Sequence, residues 1–193
     1  LFDTEEVTVT VTDVNDNAPV FTSSDGPSVA ENTTDVVTLE TTDADTNPTP
    51  TVTYSITGGA DAGSFEIVGG VLKFVTAPDF ESDATTYTVE VTADDGVNEA
   101  PETIIVTVTD VNEAPTITST TTTFSAAENQ TVIPGATITA IDVDAGDTLT
   151  FSVLSDVLTI DPDTGVLSFK AGEAPDFETT TEAITATVTV TDA

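Results

Sequence analysis

The sequence contains no cysteine, histidine, methionine or tryptophan, and only two basic side chains, Lys73 and Lys170. Without cysteine there is no disulfide framework and no thiolate metal site. Without histidine or cysteine the usual general bases, nucleophiles and soft metal ligands are missing. A pair of carboxylates could hydrolyse glycosides. Yet with no tryptophan and two tyrosines the chain offers no aromatic platform for a sugar. No glycine loop with a lysine is present to cradle phosphate. The expectation is that the chain is not an enzyme. No apolar run is long enough to span a membrane, and "LFDTEEVTV" is not a signal peptide, so membrane insertion is not expected. With no methionine at all, the chain is expected to be a segment of a longer polypeptide.

What is present is acid. Thirty-five aspartates and glutamates against two lysines give a formal net charge of -33. Such a surface repels nucleic acid and anionic membranes and attracts cations. The chain is nevertheless not disordered by composition: 38% is hydrophobic, and valine, isoleucine and threonine fall in short alternating runs. A length of 193 residues suits one or two modest cores. Small modules without disulfides need another stabiliser, and a metal fits that role.

The chain repeats itself. "VTVTDVN" at Val9–Asn15 recurs at Val106–Asn112, "AEN" at Ala30–Asn32 recurs at Ala127–Asn129, and "APDFE" at Ala77–Glu81 recurs at Ala174–Glu178. All three are offset by about 97 residues, the mark of tandem modules. We read two repeats, 18–112 and 113–193, preceded by Leu1–Asn17, which matches only the last strand and linker of a repeat. Within each repeat the apolar period is two: "TVTYSI", "TYTVEVTA", "TIIVTVTD", "TLTFSV" and "ITATVTVT" alternate as strands with one buried face do. Turn signals such as "DTNPTP", "TGGADAGS" and "DPDTG" separate them. About seven short strands per repeat predict tandem all-β antiparallel sandwiches. Tyr54, Ile56, Phe65, Leu72, Phe74 and Val89 are expected in the first core.

The acidic residues gather at strand ends, in "AEN", "DAD" or "DVD", "DFE", "TADD", and the linkers "DVNDNAP" and "DVNEAP". Calcium takes six to eight oxygen ligands, and carboxylates that repel when empty are held together by such an ion. In this order and spacing the motifs resemble those of tandem cadherin repeats over nearly the whole chain. The resemblance implies seven-stranded Greek-key sandwiches joined end to end, with calcium ions at each junction. It implies that Glu31, Asp79, Glu81, the Val111 carbonyl and Glu113 hold two ions, with Asp144 serving one of them. A third ion would take Asn112, Asp142, Asp144 and Asp192, with Asp147 as a further ligand. At the first linker the corresponding set is Asn15, Asp16, the Asn17 carbonyl, Asp43, Asp45 and Asp94. Glu128, Asp176 and Glu178 would serve a following junction. This chain departs from the family in its "DFE", which lacks the family's arginine, and in a second linker one residue shorter.

"DVDAGDTLTFSV" and "VNEAPTITS" look most like the cadherin-like arrays of bacterial surface adhesins. The implied function is an extracellular, calcium-stiffened stalk or adhesion segment of a larger surface or secreted protein. The alternatives are a homophilic or carbohydrate-binding module, or a spacer in a secreted polysaccharide-degrading enzyme. Expected partners are calcium, neighbouring repeats in the chain, and self or a surface glycan. "DPDTG" at Asp161–Gly165 is read as a turn, since an EF-hand loop needs further ligands around its glycine. "TITSTTTTF", Thr116–Phe124, is read as an exposed strand. The sequons at Asn32 and Asn129 adjoin proposed ligand glutamates and are discounted.

Overall fold

The computed structural model describes residues 1–46, 51–180 and 182–192. Part of the "DTNPTP" turn lies outside them. The chain forms two units, Leu1–Val111 and Asn112–Ala193. Among the described residues no helix is long and apolar enough to cross a membrane.

The first unit contains β1 (Val20–Phe21), β2 (Ser28–Ala30), β3 (Asp35–Thr38), β4 (Thr41–Thr42), β5 (Thr53–Gly58), β6 (Phe65–Val68), β7 (Val71–Phe74), β8 (Thr86–Asp94) and β9 (Glu99–Thr109). One sheet runs β2-β9-β8-β5, the other β3-β7-β6, and β1 pairs with β4. Pairing is antiparallel except between β2 and β9, which run parallel from Ser28 opposite Thr107 to Ala30 opposite Thr109. Period-two alternation decides what goes inside. Val89, Val91 and Ala93 of β8 and Ile104, Val106 and Val108 of β9 are buried against Phe65, Leu72 and Phe74 of the facing sheet. Phe74 stacks on Phe65 at 4.7 Å between ring centres and meets Tyr87 edge-on at 5.0 Å. Of the six expected core residues, Phe65, Leu72, Phe74 and Val89 are buried, while Tyr54 and Ile56 pack on the core half-covered. Each fully buried side chain of this size contributes about 1.5–3 kcal/mol.

The leading segment Leu1–Thr12 joins no sheet, and its Val7, Val9 and Val11 are 78%, 80% and 91% exposed. It carries the sequence of a last strand without the neighbours of one.

The second unit contains β10 (Thr116–Ile117), β11 (Val132–Thr137), β12 (Ala140–Ile141), β13 (Thr150–Leu154), β14 (Leu158–Ile160), β15 (Val166–Phe169) and β16 (Thr187–Thr191). One sheet runs β11-β15-β14; β13 pairs with β16, and β10 with β12. Ile133, Ile138, Phe151, Leu158, Ile160, Leu167 and Phe169 form its core. The expected strand Thr116–Phe124 is realised only at Thr116–Ile117; Thr118 and Ser119 still donate their N–H groups to the Thr139 carbonyl at 2.8 and 3.3 Å, and beyond them the threonines have strand propensity but, among the described residues, no paired strand. "DPDTG" is a turn: Asp161 Oδ1 accepts the N–H groups of Asp163 and Thr164 at 3.1 and 2.9 Å, and the Thr164 side chain, with these N–H groups, holds its carboxyl below the usual range. Gly165 closes it at φ +67°, with the Ile138 carbonyl where a Cβ would stand.

Candidate metal centres

Each unit gathers carboxylates in two places, and the same local devices build them. In the first unit Glu31 follows β2 and is 1% exposed. Asn32, next in the chain, adopts a left-handed φ of +59°, and its N–H donates to the Pro78 carbonyl at 2.9 Å. That turn folds the Glu31 carboxylate back into the unit, where one oxygen accepts the Phe80 N–H at 2.7 Å and the other the Val111 N–H at 2.9 Å. Asp79 Oδ1 accepts the N–H groups of Glu81 and Ser82, both at 3.1 Å. Oxygens of Glu31, Asp79 and Glu81 thereby lie within 4.8 Å of one another.

The second unit repeats the device. Asn129 takes φ +57° and donates to the Pro175 carbonyl at 2.8 Å, while the Phe177 N–H donates to Glu128 Oε2 at 3.1 Å. Glu128, Asp176 and Glu178 form the equivalent trio.

The other gathering surrounds D-x-D. In the first unit Asp45 is buried, and its Oδ2 accepts the N–H groups of Asp16 and Asn17 at 3.1 and 2.9 Å. Asn17 Nδ2 adds a bond to Asp45 Oδ1 at 2.7 Å. Asp16 itself lies outside this trio and accepts from Asn17 Nδ2 at 3.0 Å. The third carboxylate beside Asp43 and Asp45 is Asp95, not the expected Asp94. The reason is strand parity. Val89, Val91 and Ala93 face inward, so the next inward position is 95, while Asp94 turns outward and accepts the Gly96 N–H at 2.7 Å. Asp95 Oδ1 accepts from Asn98 N–H and Val97 N–H at 2.7 and 2.8 Å, and these bonds hold its carboxyl below the usual range. Asn98, also not anticipated, donates through Nδ2 to the Asn17 carbonyl at 2.9 Å. The amide of Asn15 ends 3.1 Å from Asp45 Oδ2 and 3.0 Å from Asp95 Oδ2. With its nitrogen turned there it bridges two carboxylates; with its oxygen there it completes an oxygen cup for a cation.

In the second unit Asp142, Asp147 and Asp192 converge. Asp144 is buried, and its Oδ2 accepts the Glu113 N–H at 2.7 Å, as Asp45 does from Asp16. Asn112 Nδ2 donates to Asp192 Oδ2 at 3.2 Å. Burial, reinforced by the charges of Asp144, Asp142 and Asp192, pushes the Asp147 carboxyl up. Of the linker residues, Val111 contributes its N–H to Glu31, and Glu113 is half-buried beside Asp144.

Asp43 Oδ2, Asp142 Oδ2, Asp144 Oδ1 and Asp147 Oδ2 are fully covered and accept no hydrogen bond. A covered carboxylate oxygen without a donor costs several kcal/mol in principle, and a bound cation removes that cost. All the available donors are oxygens, which selects a hard cation such as calcium.

No family model matches the chain. It is 33% identical over 178 residues to cadherin EGF LAG seven-pass G-type receptor 1 of Mus musculus, covering 83% of this chain. It is 38% identical over 151 residues to protocadherin-16 of Homo sapiens, covering 72% of this chain. It spans only 6% and 4% of those proteins. Among solved structures it is similar to a protocadherin gammaB7 EC3-6 cis-dimer, with 25% identity, a TM-score of 0.54, and 96% of this chain matched to 50% of that one. Human protocadherin-24 EC1-2 shares the fold at 20% identity and TM-score 0.56, over 93% of this chain and 94% of that one. Two tandem β-sandwiches, with paired acidic gatherings set on the same turns in each, are therefore cadherin repeats.

Proposed function

We propose that the chain is a calcium-stiffened extracellular segment of a larger surface or secreted protein, built to hold its neighbours in the polypeptide at a fixed spacing and to serve adhesion. The observation that carries this reading is the set of covered carboxylate oxygens without donors at Asp43, Asp142, Asp144 and Asp147. In this reading Glu31, Asp79, Glu81, the Val111 carbonyl and Glu113 are the ligands of two ions, and Asn112, Asp142, Asp144, Asp147 and Asp192 those of a third. Asn15, Asp43, Asp45 and Asp95 hold an equivalent ion in the first unit. The linker is already tied into both sets, because Val111 N–H is bound by Glu31 and Asn112 by Asp192. Calcium neutralises the repulsion in each set and removes the linker's freedom. Affinities of extracellular calcium modules of about 10⁻⁴–10⁻³ M put the transition in the range of the outside medium.

The absence of cysteine makes the test clean. Spin labels on Glu66→Cys and Thr159→Cys, both exposed strand positions, report the distance between the units. The reading predicts a distance distribution that is broad in chelator and narrow in millimolar calcium; equal widths in both would refute stiffening. A bacterial surface as the source rests on "DVDAGDTLTFSV" and "VNEAPTITS" alone, while the relatives above are animal proteins. Self-association is a second reading, supported by the cis-dimer reported for protocadherin gammaB7.

A further inference from the structure

The sequence contains two Asp–Gly pairs, Asp25–Gly26 and Asp95–Gly96, both in the first unit. Such a pair can rearrange without an enzyme. The glycine nitrogen attacks the aspartate Cγ, an N–Cγ bond forms, and the Cγ–O bond breaks as water leaves with the amide proton. Water then adds to the cyclic imide at the original peptide carbonyl carbon and breaks its bond to nitrogen. The product is isoaspartate. Its main chain runs through Cβ and Cγ, the former peptide carbonyl becomes a carboxylate, and mass is unchanged. Glycine favours the attack because no Cβ obstructs the turning amide. Whether a given pair reacts then depends on how firmly the fold holds the carboxylate and the glycine N–H apart.

The fold treats the two pairs differently. Asp95 is 7% exposed, and its Oδ1 accepts the N–H groups of Asn98 and Val97 at 2.7 and 2.8 Å, while its Oδ2 lies 3.0 Å from the Asn15 amide. The Gly96 N–H is drawn away from it, donating to Asp94 Oδ1 at 2.7 Å. Attack at Asp95 has to break these bonds first. Asp25 lies in the bend between β1 and β2, exposed together with Ser24 and Gly26. Among the described residues its carboxylate accepts no hydrogen bond, and the Gly26 N–H reaches Ser24 Oγ at a long 3.3 Å. A Cβ built at Gly26 would meet nothing within 4 Å, so the amide has room to turn.

We propose that Asp25 is a site of spontaneous isoaspartate formation in the folded protein, that Asp95 is protected from it, and that the product at Asp25 releases β2 from β9. The release follows from what Asp25 holds. Its carbonyl accepts the Ile105 N–H at 2.8 Å, and the Pro27 carbonyl accepts the Thr107 N–H at 3.0 Å. These two bonds lead into the parallel pairing of Ser28–Ala30 with Thr107–Thr109. Isomerisation inserts one carbon into the main chain between the two carbonyls and turns the first into a carboxylate off the chain, so they lose their common register. With only three residues in β2, little else holds the strand.

Ageing the whole 193-residue chain at neutral pH and physiological temperature tests this. Isoaspartate is counted by labelling with a protein carboxyl methyltransferase and S-adenosylmethionine, and located by electron-transfer fragmentation. The expected result is isoaspartate at Asp25, forming at least about a hundredfold faster than at Asp95, where two hydrogen bonds to a charged oxygen break before reaction. In guanidinium chloride the two sites should convert at comparable rates, since the fold no longer distinguishes them. In the isomerised fraction the amides of Ile105 and Thr107 should lose protection from hydrogen exchange. An equally aged Asp25→Glu variant, whose longer side chain would have to close a six-membered ring, should keep it. No isoaspartate at Asp25, or equal rates at the two sites in the folded chain, would overturn the assignment of the site. Isomerised chain with Ile105 and Thr107 as protected as before would overturn the release of β2.

Discussion

Replacing Glu31 by alanine is the most informative single perturbation of the first unit. The side chain is 1% exposed and accepts two backbone N–H groups, from Phe80 at 2.7 Å and Val111 at 2.9 Å. Hydrogen bonds to a charged group contribute about 1.5–3 kcal/mol each, and relief of the repulsion from Asp79 and Glu81 offsets part of their loss, so in chelator the net loss is about 3 kcal/mol. For a unit of this size that corresponds to a fall in Tm of roughly 12–15 °C. In calcium the gap widens, because a hundredfold excess over Kd adds about 2.7 kcal/mol per site to the parent and nothing at the destroyed site. The assay is specific: the only two tyrosines, Tyr54 and Tyr87, both lie in the first unit, so tyrosine fluorescence follows its melting alone. Glu31→Gln, which keeps one carbonyl acceptor and loses the charge, should fall between parent and alanine variant in chelator and lose most of the calcium gain. If Glu31→Ala melted with the parent in both conditions, the argument that this carboxylate ties the linker and holds an ion would be wrong.

Three further outcomes follow from the geometry. Asp95→Asn should weaken calcium binding in the first unit, while Asp94→Asn leaves it unchanged; isothermal titration of the two variants side by side decides between the positions. Without calcium, the raised Asp147 carboxyl means the folded state holds more protons than the unfolded one. Stability of the chelated second unit should therefore fall as pH rises from the ordinary aspartate value through the raised one, and calcium should abolish that fall, as thermal melts across the range will show. Gly165→Ala should destabilise the second unit by about 2–3 kcal/mol in denaturant unfolding, because φ is +67° and the new Cβ meets the Ile138 carbonyl.

Much of this was legible in the sequence because it rests on short periods. Alternation placed Phe65, Leu72, Phe74 and Val89 inside, and the internal offset of about 97 residues marked the repeats and their equivalent acidic turns. Asp95 was legible too, by either route: it follows Val89, Val91 and Ala93 in parity, and it stands at the repeat offset from Asp192. Asp94, the expected ligand, satisfies neither relation. Other features depend on partners remote in sequence, which no local pattern encodes. Thr116–Phe124 has the composition of a strand yet becomes one only where Ala140–Ile141 lies beside it. Asn98 reaches the first acidic set only because its amide bonds the Asn17 carbonyl far back in the chain.

The central claim is that the acidic sets are cation sites rather than solvated turns. Isothermal titration of calcium into the metal-stripped 193-residue chain tests it most directly. The account predicts about three or four ions bound per chain in the sub-millimolar to millimolar range, with Asp144→Ala losing the sites at the linker. No binding heat at millimolar calcium, or a titration that Asp144→Ala leaves unchanged, would contradict it.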